Sequence, residues 1–329
     1  MTKKKSISVI LPNYNGKHLM EMYIPYTIEA LNYSNVDYEF IVIDDCSTDD
    51  SVLFLEEKYP QLTLIKNKVN SGFSYTCNQG IKVASKDLIL LLNSDVKLTQ
   101  TYFETQFKYF EKENTFGTMG RIMNFDDKKI EDAARLPFYK GAKFKACNFF
   151  YLENAGEQTY TSYLSGANAL IDREKILLLN GFDEIYSPFY FEDFDLGLRA
   201  WQMGWFLYYE HEAVCYHQVS TSTKQLNKSN FVKITYNCNS FILQSIHLRG
   251  ARRNFFYFQL YTIILLVHLI KGEFWIFESI KKFIAKKSAI KQSRKNIHQL
   301  QQKLNVSIDL NSIIQKITQS IKDKKVNWL

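Results

Sequence analysis

The sequence predicts an α/β protein with a doubly wound, mixed sheet and a helical, basic C-terminal appendage. Three observations carry this. Short apolar runs rich in β-branched residues recur at 7–12, 40–45, 62–67 and 87–95. Stretches of helical length and spacing separate them, the alternation that builds right-handed βαβ units on a parallel sheet. Past Lys233 the strand pattern stops, and basic, helical sequence takes over.

ISVILP reads as a first buried strand, since a strand covered on both faces needs no polar alternation. A helix over 17–33 follows. FIVIDD is the second strand, leading to a helix over 48–58 for which Ser47, Thr48 and Asp49 offer capping oxygens. LTLIKN is the third, and Ser71-Gly72 makes a tight entry to a helix over 73–85. DLILLLNSD is the fourth, with another helix expected at about 100–113. From about 115 to 160 the pattern weakens into turns and aromatic residues. It resumes with SYLSGANALIDREKILLLNGFDE, a strand and a short helix starting near Arg173 and stopping at Gly181. FYFEDFDLGLRAWQMGW (189–205) has Phe191, Phe194, Leu198 and Trp201 near helical spacing, and precedes strand FLYYE and the segment VCYHQVSTS at 214–222.

A chain of 329 residues that is 46% hydrophobic can bury a full core. Its five cysteines are odd in number and lack CxxC spacing, which argues against a disulfide framework or zinc site and for a reducing, cytoplasmic setting. The N-terminus runs from charge into a strand without a long apolar region, so export is not expected. The net charge of +7 is uneven: residues 249–329 hold 16 lysines and arginines against 4 acidic residues, leaving residues 1–248 at −5. Such a tail suits nucleic acid or an anionic membrane surface. FFYFQLYTIILLVHLI at 255–270 favours the membrane, because it is strongly apolar with arginines before it and lysines after it. At 16 residues it stays short of the roughly 20 that a spanning helix needs, so it reads as interfacial or re-entrant. The competing reading is a core or oligomer-interface helix. No recognition module accompanies the basic residues, which sets nucleic acid aside.

Polar residues collect where a doubly wound sheet binds ligands, at the carboxyl ends of its strands. Strand one ends in Pro12-Asn13-Tyr14-Asn15, strand two in Asp44-Asp45-Cys46-Ser47 and strand four in Asn93-Ser94-Asp95. Asp44 and Asp45 can accept hydrogen bonds from a ribose or a base imide, or simply cap a helix. Asn70-Ser71-Gly72-Phe73, with Asn78 and Gly80, puts a glycine and free amides at a helix start. That suits an anion or nucleotide, and equally an ordinary strand-to-helix connection. A carboxylate at Asp95, behind a buried strand, is costly unless paired or metal-bound. Mg²⁺ or Mn²⁺ needs few protein carboxylates when phosphate and water complete its octahedron; the competing role is an N-cap. His217 can join that metal, touch a diphosphate or be structural. Glu192 and Asp193, with Asp195 and Arg199, form a second acidic cluster. Asp193 between two phenylalanines suits a general base for a sugar hydroxyl, and acidic residues equally suit a helix's first turn.

In this order and spacing the motifs resemble glycosyltransferase family 2, particularly its rhamnosyltransferase-like branch, over about residues 6–220. The resemblance implies a GT-A fold, the Rossmann-like architecture of nucleotide-diphospho-sugar transferases. It implies a catalytic domain over 1–232, with a nucleotide-binding half over 1–115 and an acceptor half over 116–232; over 233–329 the resemblance is loose, and the helical, basic region there is expected to associate with membrane on the strength of its own apolar and basic residues. Pro12, Asn13 and Asn15 match the first nucleotide-binding strand end, and Asp45 the acidic contact to the nucleotide. Asn70, Gly72, Asn78 and Gly80 match the following helix start. Asn93-Ser94-Asp95 matches the DxD metal motif, Gly166 the wall of the donor and acceptor site, Glu192-Asp193 the ED motif with its base, and His217 the late histidine near metal and diphosphate. Asn93 departs from the motif's first carboxylate, which implies weaker or more phosphate-dependent metal binding.

The activity implied is inverting transfer from a UDP- or dTDP-sugar to a glycan or lipid-linked saccharide in cell-surface polysaccharide synthesis. The setting implied is peripheral, at the inner face of the cell membrane, with room for an oligomer. A nucleotide-sugar-binding scaffold without catalysis is a rival reading, opposed by Asp95 and Asp193. A sugar nucleotidyltransferase is another, opposed by LPNYNGKHL, which lacks a Gly-rich basic loop.

Overall fold

Four parallel strands form where the apolar runs lie: β1 (Ile7–Asn13), β2 (Tyr38–Asp44), β3 (Thr63–Lys66) and β4 (Leu88–Leu92). The computed structural model describes residues 4–126, 128–152, 158–218 and 230–329. The strands lie in the order β3-β2-β1-β4, so β2 and β4 flank β1 on opposite sides and the winding reverses there. The carboxyl ends of β1 and β4 therefore open on a crevice. Alternate residues explain why these strands read as unbroken apolar runs. Ile10, Ile41, Ile43, Ile89 and Leu91 enter one core layer, and Val9, Leu11, Val42, Leu88 and Leu90 the other.

Helices α1 (Lys17–Tyr33) and α2 (Ser51–Lys58) cover one face, and α3 (Phe73–Val83) the other. Gly80 lets α3 approach the sheet: a Cβ there would lie 2.7 Å from methyl groups of Ile10 and Ile43. Gly80→Ala should gain the usual helix propensity of about 0.5–1 kcal/mol but pay more in overpacking, which costs about 1–3 kcal/mol. A fall in melting temperature is the expected outcome, read by thermal denaturation.

The second half adds β5 (Val96–Leu98), β6 (Thr115–Asn124), β7 (Ile130–Asp132), β8 (Ala134–Lys140), β9 (Lys143–Leu152), β10 (Thr159–Tyr160), β11 (Asn168–Asp172) and β12 (Phe206–His217). The sheet continues β4-β11-β6-β12-β10, with β5 on β12 and β7 on β6. Because β11 runs antiparallel to both neighbours, the sheet is mixed. Two helices complete this half, α4 (Arg173–Leu178) and α5 (Glu192–Gln202).

Two expectations are corrected here. The helix expected at about 100–113 is a series of tight turns ending in a 3₁₀ helix, Phe107–Glu111. Its backbone bonds span three residues, as from Tyr102 to Thr99 and from Tyr109 to Gln106. The Gln106 side chain donates to the Tyr102 carbonyl and accepts from Thr118, competing with a longer helical ladder. The stretch 115–160, expected as turns, holds strands. β6 is buried on both faces and interrupted by Gly117 and Gly120, so neither alternation nor a β-branched run marks it.

The tail comprises α6 (Asn230–His247), α7 (Gly250–Ile270), α8 (Trp275–Ala285), α9 (Lys287–Lys303), α10 (Leu310–Ile321) and β13 (Val326–Trp328). α7 is continuous through a π-helical turn at Leu260–Ile264. At 21 residues it is, by length and composition alone, long and apolar enough to cross a membrane. The apolar run of 255–270 forms its C-terminal 16 residues, preceded by a first turn that holds Arg252 and Arg253. The tail does not trail from the body. Phe241, Ile276, Phe283 and Ile317 join Phe116, Tyr163 and Trp201 in one core cluster, and β13 pairs with β9 to complete a sheet β13-β9-β8.

Candidate active site

Strand register brings three distant segments to one point. β12 pairs with β5 so that His217 lies opposite Val96, and the Gln218 amide donates to the Asp95 carbonyl at 2.9 Å. On its other side β12 pairs with β6, which carries β7 and with it Glu131 and Asp132. His217 Nε2 consequently faces Asp95 Oδ2 at 3.4 Å and its Nδ1 meets Glu131 Oε2 at 3.0 Å. Burial alone would lower the imidazole's pKa, but the two carboxylates overcome this and hold it at about 9. Asp95 Oδ1 is buried without a hydrogen-bond partner among the described residues.

The ED pair arises from backbone strain. Tyr190 and Phe191, with φ of 76° and 77°, both adopt the left-handed region before α5 begins at Glu192. Bulky residues avoid that region, and such strain persists only where the surroundings enforce it. The enforcement comes from α6. The Asn239 side-chain amide donates to the carbonyls of Tyr186, Phe189 and Tyr190 at 2.6, 2.9 and 3.2 Å. One turn into α5, buried Asp195 accepts from Arg199 at 2.6 Å, from His247 of α6 at 2.8 Å and from Tyr186 at 3.1 Å. Thus α6 grips both the approach to the ED pair and the helix behind it.

Glu192 and Asp193 enter the same cavity as His217, a space of about 480 Å³ also lined by Phe73, Asn93, Glu131, Asp132, Gly166 and Tyr190. Burial raises both carboxyl pKa values. Glu192 rises further because Asp193 adds repulsion and its Oε2 has no partner among the described residues. The Arg135 charge restrains Asp193, leaving it the more readily ionised of the two. Arg135 is itself fixed by Asp132 at 3.0 Å and by stacking 3.8 Å over the Tyr163 ring, while the Tyr163 hydroxyl donates to Asp132.

The residues expected around the nucleotide have mixed placements. Asp45 receives Asn67 Nδ2 at 2.8 Å and the Ser71 and Gly72 amides at 3.0 and 2.9 Å, so it shapes the loop holding Asn70 and Gly72. Gly72, at φ 85°, lies against the Pro188 backbone, where a Cβ would approach to 3.0 Å. Asn13 donates to Asp44 at 2.9 Å, and Asn15 Oδ1 accepts from the Thr48 amide at 2.7 Å, bracing the turns after Pro12 and Asp44. Asn93 donates its amide to the Ala167 carbonyl at 3.2 Å, tying the strand end before Ser94 to the Gly166 segment. Asp44, Asn78 and Gly80, expected as ligand contacts, have partners within the fold. Both Asp44 oxygens accept bonds within the turn, and Asn78 bonds Phe182 and Glu184. Gly80 is packed under the sheet isoleucines. Residues 219–222 of the segment containing His217 lie outside the described residues.

Sequence reading missed Glu131, Arg135, Asn239 and His247. Glu131-Asp132 is a visible acidic pair, but nothing in its neighbourhood marks a strand end. Asn239 and His247 meet partners 49 to 53 residues away, beyond any local pattern.

The family model for glycosyl transferase family 2 matches residues 8–177. An uncharacterized glycosyltransferase of Bacillus subtilis strain 168, YfnE, is 25% identical over 278 residues, covering 71% of this chain and 70% of that protein. The poly(ribitol-phosphate) beta-N-acetylglucosaminyltransferase TarP of Staphylococcus aureus strain N315 is 31% identical over 120 residues, 36% of each chain. Among solved structures, GalNAc-T7 with UDP, GalNAc and Mn²⁺ superposes with a TM-score of 0.64 at 12% identity, covering 98% of this chain and 58% of that one.

Proposed function

The chain belongs to glycosyltransferase family 2 and has the GT-A fold, and from that premise we propose that it is an inverting transferase using a UDP- or dTDP-sugar and a divalent metal. The observation that carries this reading is the shared cavity, lined by Asn93 and His217 as well as by Glu192 and Asp193, with Asp95 3.4 Å from His217. Asp193 takes the proton from an acceptor hydroxyl as its oxygen attacks the anomeric carbon. The bond from that carbon to the diphosphate oxygen breaks on the opposite face, and configuration inverts. Glu192, held protonated by burial, contributes a hydrogen-bond donor beside the base rather than a second base.

Mg²⁺ or Mn²⁺ would be held beside His217. Asp95 Oδ1, buried and unpartnered among the described residues, and the His217 imidazole, on losing its proton, would be its protein ligands, with Asn93 on the cavity wall. Among the described residues no group of three His, Cys, Asp or Glu side chains could hold a metal by itself, so donor phosphate would complete the coordination. When bound, the ion offsets charge on the departing diphosphate. Glu131 orients His217 through Nδ1, and outer partners of this kind are worth about 10–100-fold in metal affinity. Glu131→Leu should weaken Mn²⁺ binding by that factor in a calorimetric titration with UDP present.

The activity in TarP's name supports a polymeric acceptor, and the basic tail supports a lipid-linked one met by a peripheral protein at the cytoplasmic face of the membrane. A panel of nucleotide-sugars, followed by thermal unfolding with Mn²⁺ or chelator, tests the donor reading. A true donor at 100 times its Kd stabilises the fold by about 2.7 kcal/mol, and chelator should remove most of that. Stabilisation by no nucleotide-sugar would overturn the proposal. Transfer with inversion, read by NMR of the product, separates it from a catalytically silent scaffold.

A further inference from the structure

Helix α7 carries its apolar side chains on the wrong side for a soluble surface. Its inner row, Phe256 and Leu260 with Ile264 beside them, packs on the body, and Gln259 accepts from the Ala142 amide at 3.0 Å. Its outer face presents Phe258, Leu266 and Ile270, which are 58, 58 and 77% exposed, together with Phe255 and Ile263. The surface continues past the turn through Phe274, 66% exposed, and Phe277 on α8. Only 11% of the helix's most apolar window is buried. A helix apolar on every side belongs in a core or a membrane, and a continuous exposed patch of this kind marks an interaction surface.

We propose that α7 and the start of α8 lie in the plane of an anionic phospholipid leaflet, with their outer face embedded to about the acyl boundary and the inner face still fastened to the protein. Charge complementarity selects this occupant. Exposed Lys271 follows Ile270 directly, and Lys281, with 80% of its side chain exposed and Glu278 at 3.9 Å, comes one turn after Phe277 on α8, in a tail from residue 249 that carries an excess of 12 positive charges. A bare second copy of the chain would bring two such basic tails together. The attachment of the inner row sets the mode. Crossing the bilayer would strip Phe256 and Leu260 from the core and break the Gln259–Ala142 bond, although the helix is long enough to cross. This surface stands apart from the transfer chemistry; it rests on the peripheral, membrane-facing part of the proposed function, and loss of vesicle binding would leave the transfer reading untouched.

The test is flotation of the full chain with vesicles of phosphatidylglycerol and phosphatidylcholine, beside vesicles of phosphatidylcholine alone. The expected result is binding at least tenfold stronger to the anionic vesicles, release at alkaline carbonate pH, and quenching of Trp fluorescence by lipids brominated near the headgroup. The double variant Phe258→Glu/Leu266→Glu changes only exposed positions and should melt like the parent while losing at least tenfold in vesicle affinity. Absence of vesicle binding would overturn the proposal, as would equal binding to neutral vesicles. Resistance to carbonate would overturn the in-plane mode in favour of insertion. A sedimenting dimer that the double variant dissolves, without vesicle binding, would assign the surface to a second copy.

Discussion

Asp193→Asn is expected to lower kcat by about 10²–10⁴-fold, the usual worth of a positioned general base, while nucleotide-sugar affinity stays within twofold. The amide keeps the side chain's shape and its Oδ1 bond from the Phe194 amide, but it cannot take a proton. The groups proposed for the donor side, Asp45, Asp95 and His217, are untouched, so calorimetric titration with donor should read the same in both proteins. Turnover within a few fold of the parent would sink the assignment. The pH profile gives a second handle on the same residue. Burial raises the Asp193 pKa, so activity should fall, as pH drops, at values above the ordinary carboxylate range. Arg135 opposes that rise, and Arg135→Met should therefore move the acid limb of kcat to still higher pH.

Asn239→Asp should damage both folding and turnover. The substitution replaces the NH₂ that serves three carbonyls with an acceptor oxygen, setting a negative charge against the oxygens of Tyr186, Phe189 and Tyr190. The left-handed backbone at Tyr190 and Phe191 then loses the three bonds that tie its approach to α6, and keeps ring contacts with Tyr236 on that side. Leaving buried polar groups unpaired costs about 1–3 kcal/mol each, so a clear fall in melting temperature is expected. In the fraction that remains folded, the ED pair starts from a relaxed loop. Misplacement by about 1 Å can cost about 10²-fold, and kcat should drop by that order. Donor affinity should change little, because Asn239 contacts only the loop before the base. A variant with the parent's kcat would show that the strained turn holds itself.

The first half of the fold is legible because burial on both faces leaves strands as uninterrupted apolar runs, and β1 to β4 lie where those runs do. The second half hides the same physics under glycine and aromatic residues: β6 has a buried face on each side, yet Gly117 and Gly120 erase its β signature. The candidate site divides in a similar way. Asp95, His217 and the ED pair are readable because each sits at the end of a recognisable element; the structure brings His217 and the ED pair to one cavity and sets Asp95 3.4 Å from His217. Asn78 and Gly80 belong to a readable motif as well, but their types answer to packing demands that only the neighbouring isoleucines and the Phe182 loop reveal. Glu131 and Asn239 depend on strand and helix partners far along the chain. No local window contains both halves of those bonds.

Composition draws a border near Lys233, but α6 crosses it with Asn239 and His247 in hand. Exchanging tails between relatives would remove the clamp on the proposed base along with whatever the tail addresses. A graft made after His247 keeps that clamp and leaves α7 onward as the exchangeable part. One made at Lys233 must supply an amide at 239 and an imidazole at 247, or inherit an enzyme whose base has lost its seat.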